Sequence, residues 1–114
     1  NSKIYVSFNF RTHNYQSSGT ECIAKLAVYR QINSGGYSQF YPSSADVGHG
    51  YSGSDTEERT IYEICELSFV DTSHNTTNQI DYLLCASKNT ASSGSVNVGG
   101  SSHQANVKAW EIAN

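Results

Sequence analysis

The chain of 114 residues has no methionine, one proline and three cysteines, and only 15% of its residues are charged. An average globular protein has about 25% charged residues, so Ser, Thr, Asn, Gln and Tyr must cover much of this surface. No apolar run approaches the ~20 residues of a membrane-spanning helix. The seven Lys and Arg residues are scattered singly and the net charge is −3, which leaves no basic stripe for phosphate contacts. We therefore expect neither nucleic-acid binding nor membrane insertion.

Patterns typical of catalysis and metal binding are missing as well. The sequence has no Gly-x-Ser-x-Gly elbow and no Cys-x-x-Cys, and no two of its four histidines share the spacing of metal ligands. The histidines fall in predicted loops, where a solvated side chain is the ordinary outcome. A metal or ligand in the turn around His49 is an alternative, in which Asp46 and Asp55 bind calcium together with backbone carbonyls, but the regular spacing of a calcium loop is absent. The prediction is a protein that is not an enzyme and uses no cofactor or metal.

The three cysteines, Cys22, Cys65 and Cys85, are too few and too widely spaced for a disulfide scaffold. Each lies within an apolar strand pattern, where a free cysteine behaves as a small apolar side chain. We expect three reduced core residues. One Cys65–Cys85 bridge is the alternative, if those two strands pair directly.

The hydrophobic periodicity is two, which predicts strands whose alternate side chains form inward rows. The predicted rows are Ile4, Val6, Phe8 and Phe10, then Cys22, Ala24, Leu26 and Val28, then Ile61, Cys65, Leu67 and Phe69, and then Ile80, Tyr82, Leu84 and Ala86. Strands are expected at 4–10, 22–32, 60–70, 79–87, 94–98 and 105–112, with a polar Ser/Gly loop at 12–20. No helical stripe of useful length is present. Many short strands separated by Gly, Ser and Asn turns favour an antiparallel two-sheet β-sandwich, and the length fits one domain over 1–114.

The segment 33–56 is rich in Tyr, Gly and Ser and reads as a long loop, with one short edge strand around 37–41. Long loops in compact domains are often functional, and Tyr surrounded by small polar residues is a composition that suits binding surfaces. The predicted ligand-binding residues are Tyr37, Phe40, Tyr41, His49, Tyr51 and Asp55. Alternatively, Phe40 and one or two of the tyrosines merely anchor the loop onto the sandwich.

Strands 22–29 and 79–86 carry apolar side chains on both faces. A small monomer can bury only one face of each sheet, so the surplus suggests a subunit interface. The predicted interface residues are Ile23, Tyr29, Tyr62, Leu83 and Trp110.

The last part of the chain shows a specific order: "LSFVDT" at a strand end, the strand "IDYLLCAS", the hairpin "ASSGSVNVGG" and the closing strand "VKAWEI". This order resembles the C-terminal knob domains of viral and phage fibre proteins, which have a tumour necrosis factor-like or complement-head-like jelly roll. The resemblance covers about residues 60–112. It implies a jelly-roll homotrimer that ends a fibre on the virion surface and binds a host receptor, possibly a glycan, through exposed loops.

The closing strand ends two residues before the chain does, and the chain begins at Asn1 without methionine. Both suit a processed protein or the terminal part of a longer one. A free-standing secreted β-sandwich lectin, similar to the H-type lectins, is the alternative expectation, although the Trp and Arg signatures of that group are missing. An upstream fibrous shaft would favour the fibre knob, and a signal peptide before Asn1 would favour the lectin.

Overall fold

The computed structural model describes residues 2–43, 47–55, 59–89, 93–99 and 105–113, without the side chains of 17–21, 47, 49–55, 59, 89 and 93–94. These residues form seven β-strands: β1 Lys3–Ile32, β2 Ser38–Tyr41, β3 Val47–Asp55, β4 Arg59–Asp71, β5 Ile80–Asn89, β6 Ser93–Val98 and β7 Asn106–Ile112. The all-β prediction is confirmed, since the described residues contain no helix. No helix capable of crossing a membrane occurs in this part of the chain.

Strand β1 is the central strand of two antiparallel sheets. In the first sheet its N-terminal half pairs with β4 along one edge and with β7 and β6, end to end, along the other. In the second sheet its C-terminal half pairs with β5 along one edge and with β2 and β3 along the other. Every described strand therefore pairs with β1, an arrangement consistent with a β-sandwich.

The length of β1 requires it to fold back on itself. Thirty residues in straight extended conformation would span about 100 Å, whereas the longest dimension of the domain is 53 Å. The pairing switches from the first sheet to the second between Ser18, which faces Ser93, and Gly19, which faces Asp55. Both ladders are irregular there, as at a β-bulge, which sharpens the local bend of a strand.

The fold-back of β1 creates the core. Side chains alternate along a strand, so Val6, Phe8 and Phe10 share the inner face of the first sheet. They pack against Leu26 and Val28 of the second sheet, and all five are at least 96% buried. The inward rows predicted from the sequence are thus confirmed here, and β4 adds Leu67 and Phe69, while Phe40, Tyr82 and Leu84 pack around the cluster.

Two predicted loops are strands. The segment 12–20 belongs to β1, because Thr12–Gln16 pair with both β4 and β6. The inward row continues through it as Thr12, Asn14 and Gln16, which are 0–2% exposed, so the core changes from apolar to polar at this end. In the segment 33–56, β2 confirms the short edge strand expected around 37–41, whereas the nine-residue β3 was predicted as loop, so that part of the prediction was wrong. Backbone pairing with β1 supplies the order that the side-chain pattern did not indicate.

All three cysteines are free thiols, as predicted, but Cys65 and Cys85 are only partly buried, so the prediction of three core residues was wrong for these two. Cys22 is buried, and burial raises the pKa of its thiol. A raised pKa disfavours the reactive thiolate form. Cys65 lies on β4 in the first sheet and Cys85 on β5 in the second. Since these strands belong to different sheets, the condition for the Cys65–Cys85 bridge is not met.

Candidate functional site

The six predicted ligand-binding residues lie along one edge of the second sheet or in the turn that precedes it. Ser38, next to Tyr37, pairs with Arg30 of β1, and Asp55 pairs with Gly19 at the other end. Eleven residues of an extended strand cover about 36 Å. The predicted residues are therefore spread out along β2 and β3, and the backbone does not gather them around one point.

The described side chains among these six differ in their roles. Tyr37 is 48% exposed. Phe40 packs against the core, with its ring centroid 5.5 Å from that of Phe69, and Tyr41 stacks on Phe69 at 5.2 Å. This packing supports the anchor alternative for Phe40 and Tyr41. The side chains of His49, Tyr51 and Asp55 lie outside the described residues, although their backbone belongs to β3.

The five predicted interface residues lie on two different faces. Ile23, Tyr29 and Leu83 are on the outer face of the second sheet, where Tyr29 pairs with Leu83. Tyr62 and Trp110 are on the outer face of the first sheet, at opposite ends of it. Tyr62, Leu83 and Trp110 are 55%, 46% and 51% exposed. The structure thus confirms exposed apolar side chains but does not collect the five residues on one surface.

Among the described residues, the outer face of the first sheet carries five of the nine large apolar side chains that are exposed. One end presents Trp110 stacked on Tyr5, at 5.4 Å between ring centroids, beside Val70 and Ile112. The other end presents Ile64, which is 77% exposed, and Tyr62. Tyr62 stacks on His13 at 4.2 Å, and the Arg11 guanidinium lies 4.4 Å from the centre of the same ring.

A polar centre separates these two apolar ends. Glu66 Oε1 accepts hydrogen bonds from Ser68 Oγ at 2.5 Å and from Ser7 Oγ at 3.1 Å. The Ser68 bond, with a smaller contribution from Ser7, lowers the pKa of Glu66. The face therefore combines two aromatic patches with a polar centre in which Glu66 lies near Lys108 of β7.

Strand β7 is exposed along its whole length. All seven of its residues are exposed, including Val107 at 57%, Trp110 at 51% and Ile112 at 47%. Val107 pairs with the core residue Phe8, so it lies on the inner face and is nevertheless uncovered. Among the described residues β7 pairs with β1 alone, so its second edge also presents backbone N–H and C=O groups.

A buried ionic cluster joins the two sheets at the end where β1 begins. Asp71, at the end of β4, is 0% exposed and accepts hydrogen bonds from Arg30 Nη1 and Tyr82 Oη, each at 2.7 Å to Oδ2. Its Oδ1 accepts a hydrogen bond from the Ser73 backbone N–H at 2.8 Å. The Arg30 guanidinium also lies 4.2 Å from the centre of the Phe40 ring.

These contacts set the ionisation of the cluster. Burial raises the pKa of Asp71, but the hydrogen bonds from Tyr82, Arg30 and Ser73 and the charge of Arg30 outweigh it and lower the pKa. Burial, followed by the bond to Asp71, raises the pKa of Tyr82. The sequence analysis missed this cluster, although a signal was available. Arg30 and Asp71 are opposite charges at inward positions of two alternating strands.

A polar cleft lies beside this cluster. Its volume is about 540 Å³, and it is lined by Ser2 and by five consecutive residues of the β4–β5 loop, 74–78. His74 in this loop is 9% exposed, with Nδ1 4.0 Å from Asp71 Oδ1. His74 was expected to be solvated, but its side chain is mostly buried. His13 and His49 were expected in loops, but they lie on strands β1 and β3. His103 lies outside the described residues.

In the part of the chain that the structure describes, no group of three or more His, Cys, Asp or Glu side chains could hold a metal ion. The described site features are thus an apolar outer face, an exposed terminal strand and a polar cleft.

No family model matches this chain, and comparisons with curated proteins and with solved structures give no significant match.

Proposed function

We propose that this domain is a self-associating attachment domain without enzymatic activity: the C-terminal head of a viral or phage fibre. In this proposal three copies form a homotrimer of jelly-roll sandwiches at the virion surface, and each head binds a host receptor or glycan. The order of motifs from "LSFVDT" to "VKAWEI" supports the fibre-head assignment as a resemblance.

The observation that carries the proposal is the exposure of β7. A strand with seven exposed residues and three large apolar side chains about half exposed leaves apolar area in water on both of its faces. Burying such area contributes about 25 cal/mol per Å², so a second copy that covers it would stabilise an assembly. The proposal therefore assigns the subunit contact to β7 and the adjoining outer face of the first sheet, around Trp110, Tyr5 and Val70.

A free-standing secreted lectin is the second candidate, and the polar cleft beside His74 is the observation that favours it. A lectin needs a ligand site but does not need β7 to be covered by another copy. A monomer would therefore be compatible with the lectin alone, whereas a trimer would be compatible with both candidates.

Light scattering on the 114-residue chain tests the proposal. A solution mass of about 37 kDa, three times the 12.4 kDa of one chain, is expected. A mass near 12.4 kDa over the full micromolar range would contradict the self-associating head and favour the lectin.

A further inference from the structure

The polar cleft has no role in the subunit contact proposed above, and its lining indicates a ligand of a particular class. Its six residues, Ser2 and 74–78, contribute three hydroxyl groups, two carboxamides and one imidazole. None of these is a carboxylate, an ammonium or a guanidinium, and none is a large apolar side chain. The lining thus offers many hydrogen-bond donors and acceptors and little area for an apolar ligand.

The charged groups beneath the cleft neutralise each other. The nearest carboxylate to His74 is Asp71, which is fully buried and paired with Arg30 at 2.7 Å. One negative and one positive charge in contact leave no net charge to attract an ionic ligand. A neutral ligand is therefore a better match than an anionic or cationic one.

His74 brings a mostly buried imidazole to the wall of the cleft. Its Nδ1 is buried and has no hydrogen-bond partner among the described residues, and the nearest carboxylate oxygen, Asp71 Oδ1, is 4.0 Å away. The ring is 9% exposed, so only part of this side chain reaches the cleft that the residue lines.

The loop itself is held in place on both sides. Thr76 Oγ1 accepts a hydrogen bond from the Asn78 backbone N–H at 3.0 Å, and the Gln79 carbonyl accepts one from the Asn33 N–H at 2.9 Å. Asn75 adopts a left-handed backbone with φ of 43°, a conformation that asparagine tolerates better than most residues. A preformed wall of hydroxyl and amide groups lowers the entropy that binding must overcome.

We infer that this cleft is a binding site for a neutral saccharide. Sugar hydroxyls both donate and accept hydrogen bonds, as do the serine, threonine and asparagine side chains that line this cleft. The inference rests on the proposed attachment function, since it names the ligand class of such a domain. It moves the expected ligand site from the edge formed by β2 and β3 to the β4–β5 loop.

The test is a titration with free galactose, glucose, mannose and N-acetylglucosamine, followed by amide chemical shifts in ¹H–¹⁵N spectra. The protein is made in bacteria so that Asn75, in the sequon Asn75-Thr76-Thr77, carries no glycan. We expect saturable shifts at Ser2 and 74–78 with at least one neutral sugar, and weaker binding of N-acetylneuraminic acid. No shift up to 50 mM of every neutral sugar, shifts confined to other residues, or preferred binding of N-acetylneuraminic acid would each overturn the inference.

Paired threonine variants test whether the cleft itself binds the sugar. Thr77→Val removes one lining hydroxyl and should weaken binding about fivefold, the effect of one hydrogen bond. Thr72→Val makes the same change in the same loop at a residue that does not line the cleft, and should leave the affinity unchanged. Equal affinities of the two variants and the unmodified protein would overturn the assignment to this cleft.

Light scattering on the same samples separates this inference from the proposed function. A trimer that binds no neutral sugar would refute the saccharide site and leave the self-associating head intact. A monomer that binds sugar at 74–78 would support the site and refute the fibre head.

Discussion

Arg30 and Asp71 connect the two sheets through an ion pair of 2.7 Å between Nη1 and Oδ2. Arg30 belongs to the C-terminal half of β1 in the second sheet, and Asp71 ends β4 in the first. Because Tyr82 of β5 donates to the same oxygen, three strands converge on one buried carboxylate. The pair therefore acts as a polar clamp between the two sheets at the end of the core where β1 begins.

Removing the charge of Asp71 should destabilise the fold. Asp71→Asn leaves the Arg30 guanidinium, whose side chain is 18% exposed, without its ion pair. Breaking one partner of such a pair costs about 3 kcal/mol, as measured by urea unfolding. Asp81→Asn makes the same change on β5, at the outer face of the second sheet and away from the proposed subunit contact, and should stay within about 0.5 kcal/mol. Equal stabilities of the two variants would contradict the clamp.

Stability should fall in acid because of the same residue. The pKa of Asp71 in the folded state lies below its ordinary value of 3.8, so the unfolded chain binds a proton more readily. The stabilisation is complete above the unfolded pKa and is lost as the pH falls through the lower folded pKa. Tyr82→Phe removes one bond to the carboxylate, so its folded pKa should rise and the stability difference between pH 7 and pH 2 should shrink. Urea unfolding at a series of pH values would measure both effects, and an unchanged profile would exclude Asp71 as their source.

Phe40 and Tyr37 should behave differently, although both were predicted to contact ligand. Phe40→Ala removes a ring that packs on Phe69 and lies beneath Arg30, and should cost about 3 kcal/mol. Tyr37 is 48% exposed, so Tyr37→Ala should change stability by less than about 0.5 kcal/mol. Thermal unfolding of both variants would show the contrast. A Phe40→Ala variant as stable as the unmodified protein would mean that this ring is not an anchor.

Trp110→Ala should dissociate the proposed assembly without unfolding the chain. Trp110 is 51% exposed within one copy, so its main expected contacts are with another copy, and loss of an aromatic at an interface centre typically costs about 2 kcal/mol or more. Light scattering at matched concentrations should show a lower mass for this variant. Leu83→Ala, on the outer face of the second sheet, should keep the mass of the unmodified protein. Dissociation by Leu83→Ala alone would place the contact on the other face.

Much of the fold follows from the sequence by itself. The alternation of Ile4, Val6, Phe8 and Phe10 predicts an inward row, because side chains of a strand point to opposite faces in turn. This local periodicity was sufficient for the all-β class, for most strand positions and for the inward rows of β1 and β4. It was sufficient because each signal lies within a few consecutive residues.

The tertiary structure decided the features that depend on distant residues. Considered by itself, the polar segment 12–20 has the pattern of a loop. It is a strand because β4, β6 and β3 pair with it. His74 reads as a solvated loop residue, and it is buried because the β4–β5 loop brings it to Asp71. Composition also could not show that Trp110 and Leu83 lie on the outer faces of two different sheets. In each case backbone pairing or packing between segments far apart in the chain determines the outcome, and a local pattern carries no information about such contacts.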